Sequence, residues 1–172
     1  MNCLKNFIQL AIHFHKLTVK DIRKETPDCV SIAFEIPKNI EKDFHFIQGQ
    51  NITIRILLDG QEVRRSYSIC SSPLEKELRV AVKKVDNGQF STFANEKLKK
   101  GDTLEVLPPT GAFHTEIRPS QKKNYVFFAA GSGITPVISI IKTILATEAK
   151  STVTLFFGNR NMASVIFKQQ LE

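Results

Sequence analysis

The 172-residue sequence predicts a β unit followed by an α/β unit, a six-stranded antiparallel barrel leading into a truncated βαβ domain. Three observations carry that expectation. From His13 to about Leu107, apolar and polar residues alternate in short runs, as they do in half-buried strands. Asp59-Gly60 separates two such runs and is a hairpin signal, because glycine tolerates positive φ and aspartate is next best. Beyond the polar stretch Arg118–Asn124 the order becomes strand, glycine-containing turn, helix, strand, which is the grammar of a parallel sheet.

In chain order, the runs predict strands at Leu17–Lys24, Cys29–Ile36, Asn51–Leu58, Val63–Ile69, Leu78–Val85 and Thr103–Leu107. Six strands so spaced suit a closed barrel. A helix is expected from Ser91 to Leu98 after the Asp86-Asn87-Gly88 turn, with Ser91 or Thr92 as its N-cap. Pro108-Pro109-Thr110-Gly111 ends the last barrel strand. The second unit begins with a strand at Tyr125–Ala130 and returns with one at Thr152–Phe157. Between them Val137, Ile140, Ile141, Ile144 and Leu145 fall on one helical face, which needs a sheet to cover it. Thr135 reads as the N-cap of that helix and Pro136 as its first residue, where no hydrogen bond is lost. The stretch from Tyr125 to Glu172 is about half of the roughly 100 residues a doubly wound domain takes, so the sequence predicts a partial one. The expected division is an N-terminal extension at 1–12, a barrel domain at 13–118 and a partial domain at 119–172.

A net charge of +7 would attract polyanions, but the basic residues are scattered pairs such as Lys83-Lys84, Lys99-Lys100 and Lys122-Lys123. No basic stripe with interleaved aromatics is present, so nucleic acid is not the expected partner. The apolar run Phe7–Ile12 is too short to span a bilayer, and no membrane is expected. Cys3, Cys29 and Cys70 are odd in number and far apart, which argues against disulfides and zinc and for a cytoplasmic location. Cys70, next to Ile69, reads as a small buried hydrophobe. The histidines lack metal-ligand spacing apart from His13-x-His15, where alternate strand residues simply share a face. No metal is expected.

Chemistry concentrates in four segments. The first is Arg64-Arg65-Ser66-Tyr67-Ser68, with an arginine fork suited to phosphate and a ring suited to stacking. Gly88-Gln89-Phe90-Ser91-Thr92 opens a helix, whose free N–H groups attract an anion. Gly131-Ser132-Gly133-Ile134-Thr135-Pro136 joins a strand to a helix, although Pro136 stands where the dinucleotide fingerprint has its third glycine. Gly158-Asn159-Arg160-Asn161 follows the second parallel strand, where loops face a ligand crevice. Singly, each has a plainer reading: an edge charge, a turn, a cap, an exposed loop arginine.

In this order and spacing, R-x-Y-S, G-x-x-S and G-x-G-x-T-P resemble the ferredoxin–NADP reductase superfamily from about His13 to the last residue. The wording RRSYSICSSP, AVKKVDNGQFSTFAN, LKKGDTLEVLPPTGAF, AAGSGITP and FFGNRN is similar to the branch formed by reductase subunits of bacterial phenylacetyl-CoA epoxidase. The resemblance implies a flavin-binding barrel that takes FAD. Arg65 would contact the pyrophosphate, Tyr67 would pack on the flavin, and Ser68 would lie near its reactive edge, with Ser66 between them among the cofactor-binding residues. Ala81, Val82 and Lys83 would line the adenosine side by main chain, and Gly88, Gln89, Phe90, Ser91 and Thr92 would receive the pyrophosphate. Gly131, Ser132, Gly133, Thr135 and Pro136 would meet the nicotinamide end, with Asn159 and Arg160 toward the nucleotide phosphates. It further implies an NAD(P)H oxidoreductase, with NADPH ahead of NADH, feeding an oxygenase or ferredoxin-type acceptor. The iron–sulfur cluster of such relatives would sit in a domain missing from this chain, which has no C-x4-C-x2-C run. A non-catalytic flavin-binding or protein-interaction barrel stands as the alternative. Truncation also predicts self-association through apolar surface left bare.

Overall fold

The computed structural model describes residues 13–172, and the extension expected at 1–12 lies outside them. Six strands, β1 (His15–Thr26), β2 (Cys29–Glu35), β3 (Asn51–Leu58), β4 (Gln61–Ser68), β5 (Leu78–Lys83) and β6 (Thr103–Val106), form one antiparallel sheet in the order β4-β3-β6-β1-β2-β5. An Ile69–Val80 bridge and a 2.8 Å hydrogen bond from Cys70 N–H to the Arg79 carbonyl join the two outer strands and close the barrel. Two local devices make closure feasible. Register shifts between Val19 and Asp21 and between Lys24 and Thr26 bend β1, which therefore serves both β2 and β6. Asp59 and Gly60 take φ of 50° and 78°, so the two-residue turn matches the strand twist and fixes Leu58 opposite Gln61.

Alternation places Leu17, Val19, Ile32, Ile52, Ile54, Val80, Val82, Leu104 and Val106 in one buried core. Because β2 and β5 run antiparallel, the elements that follow them close opposite ends. A 3-10 helix at Lys38–Phe44, which the strand-like patterning did not predict, brings Phe44 to one end, and α1 (Gln89–Glu96) brings Phe90 and Ala94 to the other.

The α1 boundary differs from expectation. Gly88 is the N-cap, and Ser91 and Thr92 lie inside the first turn. The Ser91 hydroxyl donates to the Gly88 carbonyl and accepts from Val85 N–H, so it fastens the preceding turn from within the helix. That turn absorbs Lys84 and Val85, which is why β5 stops at Lys83, and α1 ends at Glu96 short of Leu98.

The second unit consists of parallel strands β7 (Asn124–Ala130) and β8 (Thr152–Gly158), in unbroken register, with α2 (Ile134–Thr147) between them and a short α3 (Lys168–Leu171) at the end. Two expectations for α2 need correction. A 3-10 turn at Gly131–Gly133 precedes it and Gly133 is the cap, so Thr135 and Pro136 are its second and third residues. The Thr135 hydroxyl donates to the Ser132 carbonyl at 3.0 Å and holds that turn. Pro136 still loses nothing, since first-turn N–H groups lack helical acceptors. Leu145 is exposed, while Ile134 and Ile138 are buried with Val137, Ile140, Ile141 and Ile144. The reason is that α2 has two neighbours. It packs on the β7–β8 sheet through Phe127, Ala129, Val153, Leu155 and Phe157, and on the outside of the barrel through Cys29, Cys70 and Ala81.

Candidate functional site

The first two motifs meet where β4 and β5 part. These strands share a single bridge, and its antiparallel sense puts Tyr67 level with Val82 and Arg65 level with Lys84 just beyond it. The start of α1 occupies the space there, with the Phe90 ring 5.5 Å from the Tyr67 ring and tilted 38° to it. Tyr67 is half-buried, and burial pushes its phenol up to about 12 while the nearby Arg65 charge acts in the opposite direction. Arg65 itself is exposed, with Nη1 donating to the Arg64 carbonyl at 2.7 Å. Ser66 Oγ lies 2.8 Å from Thr53 Oγ1, and Ser68, half-buried, faces Asn51.

On the facing strand Ala81 and Val82 are buried, the first toward α2 and the second in the barrel core, so only their main chain is available to a ligand. Lys83 is half-buried, 3.5 Å from Asp28. Gly88 is required by crowding: a Cβ there would come within 2.2 Å of Ser91 Oγ and 3.0 Å of the Val85 carbonyl. The α1 start thus presents Gln89, exposed, and Thr92, half-buried, beside free first-turn N–H groups, while Phe90 and Ser91 point into the protein.

The other two motifs lie together because β7 and β8 are parallel and end at one edge. Gly131 has φ of +49°, and a Cβ added at Gly131 or Gly133 would meet nothing within 4 Å, so the turn borders open space. Ser132 is exposed and Thr135 buried. Asn159 Oδ1 is buried without a hydrogen-bond partner among the described residues, while Arg160 is exposed. Asn95 Oδ1 on α1 is in the same state among the described residues.

Residues that the motif reading passed over tie the two halves together. Ser139 Oγ donates to the Ser71 carbonyl at 2.6 Å, and the hydroxyls of Ser72 and Thr143 are 2.9 Å apart. Ser139 and Thr143 sit at i, i+4 on the apolar face of α2, and Ser72-Pro73-Leu74-Glu75 is a capping box in the sequence. Those were the available signals. Gly49, at φ +89°, passes so close to Phe113 that a Cβ would lie 1.9 Å from its carbonyl oxygen, which pins the loop after β6 beside the end of β4.

Cys70 and Cys29 are buried, and loss of water pushes both thiols up, Cys29 to about 12. Among the described residues no three His, Cys, Asp or Glu side chains gather as a metal site, and no helix is long and apolar enough to cross a membrane.

An arginine, an aromatic ring and a helix start beside the parting strands, with an open glycine turn on the neighbouring unit, are the donor set a dinucleotide needs. Barrel and βαβ unit in this order define the class of ferredoxin reductase-type flavin oxidoreductases. The chain belongs to it: the family described as oxidoreductase FAD-binding domain matches residues 16–115, and the oxidoreductase NAD-binding domain matches 127–172. It is 44% identical over 158 residues to one of the subunits of 1,2-phenylacetyl-CoA epoxidase from Escherichia coli K12, covering 92% of this chain and 44% of that one. It is 41% identical over 157 residues to the ferredoxin reductase component of 3-ketosteroid-9-alpha-monooxygenase from Rhodococcus rhodochrous, covering 90% and 44%. Phthalate dioxygenase reductase, a solved modular structure for electron transfer from pyridine nucleotides to 2Fe-2S, superposes with a TM-score of 0.73 at 26% identity, covering 92% and 47%. The chain therefore spans less than half the length of the curated relatives it matches.

Proposed function

We propose that this chain is the FAD- and nucleotide-binding portion of an NAD(P)H oxidoreductase that passes electrons through an iron–sulfur centre to an oxygenase, as a phenylacetyl-CoA epoxidase reductase would. The observation that carries the reading is the place where β4 leaves β5, where Arg65, Tyr67 and the start of α1 come together, with the Gly131–Gly133 turn on the neighbouring unit. When bound, FAD supplies the step from a two-electron hydride donor to single-electron transfer.

The chain's own residues bind and orient. Arg65 and Ser66, with the first-turn N–H groups of Gln89, Phe90 and Ser91, would hold the pyrophosphate, while the N–H groups of Gly88 and Thr92 already bond the Val85 and Gly88 carbonyls and these two residues would shape the turn around it. Tyr67 would pack on the flavin and Ser68 would lie near its reactive edge. Ala81, Val82 and Lys83 line the adenosine by main chain. Gly131, Ser132, Gly133, Thr135 and Pro136 shape the nicotinamide end, Thr135 by holding the turn. Asn159 Oδ1 accepts from the nucleotide and Arg160 meets its phosphates. NADPH is the preferred donor, in keeping with the basic sequence. The working division is a flavin domain to residue 118 and a nucleotide domain from 119, in a cytoplasmic protein whose buried thiols suit a reducing compartment.

Support comes from the two matched families and from the relatives, each described as a reductase component or as part of an epoxidase. A second reading, a flavin-binding barrel without nucleotide turnover, draws on the β7–β8 sheet, whose Val126, Phe128 and Phe156 are exposed. Purified protein decides between them. Release of FAD on denaturation, identified by mass, together with anaerobic bleaching by NADPH supports the oxidoreductase. FAD without bleaching by NADPH or NADH supports the binder, and no flavin at all refutes both.

A further inference from the structure

We infer that Ser139 and Thr143 of α2 are positioning residues, whose hydroxyls set the register of the nucleotide unit on the flavin strand. The inference rests on the oxidoreductase reading above for its role, but on geometry alone for its existence.

The contact between the two units is mostly apolar: Ile134, Val137, Ile138 and Ile141 against Cys29, Cys70 and Ala81. Apolar burial is non-directional and would tolerate a helix that slides or turns. Hydrogen bonds fix direction. Within this contact Ser139 Oγ donates to the Ser71 carbonyl at 2.6 Å, Thr143 Oγ1 donates to the Ser139 carbonyl at 2.7 Å, and Thr143 Oγ1 lies 2.9 Å from Ser72 Oγ. All four residues are buried, Ser139 completely. The barrel side is itself braced: Ser71 Oγ donates to the Glu77 carbonyl at 2.6 Å and accepts from Arg79 N–H, and Ser72 caps the turn that ends at Glu75. At the rim, Lys142 Nζ lies 3.1 Å from Glu75 Oε1.

The placement makes the ladder mechanistically pertinent. Ser71 follows Ser68 by three residues of extended chain, about 10 Å. Ser139 follows Thr135 by about one helical turn, about 6 Å. The ladder thus ties the strand assigned to the flavin edge to the helix that carries the nicotinamide turn, close behind both. An error of about 1 Å between reacting groups can lower a rate by about a hundredfold.

The test uses T143V, which keeps the side chain's shape and removes its hydroxyl, and T143S, which restores it. Spin labels at K97C on the barrel side and L145C on α2, both exposed positions, in a C3S background, report the distance between units. Wild type should give one narrow distribution, T143V a broadened or displaced one, and T143S the wild-type one. In parallel, T143V should keep FAD affinity within about twofold, because the ladder lies away from the flavin contacts. Its flavin should be reduced by NADPH about tenfold to a hundredfold more slowly, with the long-wavelength charge-transfer absorbance weakened. An unchanged narrow distribution in T143V, or a broadening that T143S shares, overturns the inference. Protein that binds no FAD refutes the functional reading, while the distance measurement still decides the ladder.

Discussion

The barrel and the βαβ unit solve the same problem, a sheet with apolar side chains, in different ways. The barrel turns its apolar face inward and closes at Ile69–Val80, so Ile54, Val80 and Val106 are wholly buried. The β7–β8 sheet covers one face with α2 and leaves Phe128 and Phe156 exposed on the other, their rings stacked 5.0 Å apart. The barrel therefore carries its own stability, whereas the second unit relies on α2, which belongs as much to the barrel surface as to its own sheet. Under the proposed function, the closed half would hold a cofactor and the leaning half would be set against it.

Core truncation gives the widest contrast. Ile54→Ala should lower unfolding stability by about 2–5 kcal/mol, as cavities in closed cores do, whereas Phe128→Ala should change it by less than about 0.5 kcal/mol. Equal losses in chemical denaturation would erase the distinction between the halves. Gly88→Ala comes next. The added Cβ meets Ser91 Oγ and the Val85 carbonyl, so a cost of about 1–3 kcal/mol and weaker FAD binding are expected together. Stability loss with FAD affinity intact would separate the turn from the site.

Acid should act on the barrel through Arg79, which is buried and donates to Asp21, Glu77 and Ser31. Its hydrogen bonds hold the Asp21 and Glu77 carboxyls below their ordinary values of 3.8 and 4.5. For carboxyls depressed in the folded state, the stabilisation is present above the unfolded values and is lost as pH falls through the folded ones. Melting temperature should fall between about pH 5 and pH 2, and Arg79→Met should flatten that part of the profile. An identical slope in Arg79→Met would place the acid sensitivity elsewhere. The smallest effect belongs to the open sheet face. Light scattering should show weak concentration-dependent association that Phe128→Lys and Phe156→Lys together abolish. A monomer at every concentration would mean that the exposed rings are inert.

The barrel was readable because alternation at period two and the Asp59-Gly60 turn are local signals. Which strands meet to close it was not, since the Ile69–Val80 bridge depends on how β1 bends at its bulges. Leu145 lies off the buried face of α2 for a similar reason: helical periodicity shows that a face is apolar, not how many neighbours it has. Hydroxyl residues favour cap positions, so the sequence offers Ser91 or Thr92 and Thr135 as caps, yet the Ser91 and Thr135 hydroxyls each bond a carbonyl of the preceding turn. The motif order pointed to Arg65, Tyr67 and the start of α1, and these do lie together. The serine and threonine ladder escaped notice because a hydroxyl on an apolar helical face discloses no partner until the barrel is placed against it.

The most direct test of the proposed flavin site compares FAD with riboflavin, which has the same ring system and no phosphate, by fluorescence titration of wild type and Arg65→Ala. If Arg65 and the α1 start grip a pyrophosphate, wild type binds FAD about tenfold or more tightly than riboflavin, and Arg65→Ala loses most of that preference. Equal affinity for the two flavins, or a preference untouched by Arg65→Ala, would contradict the assignment of this site.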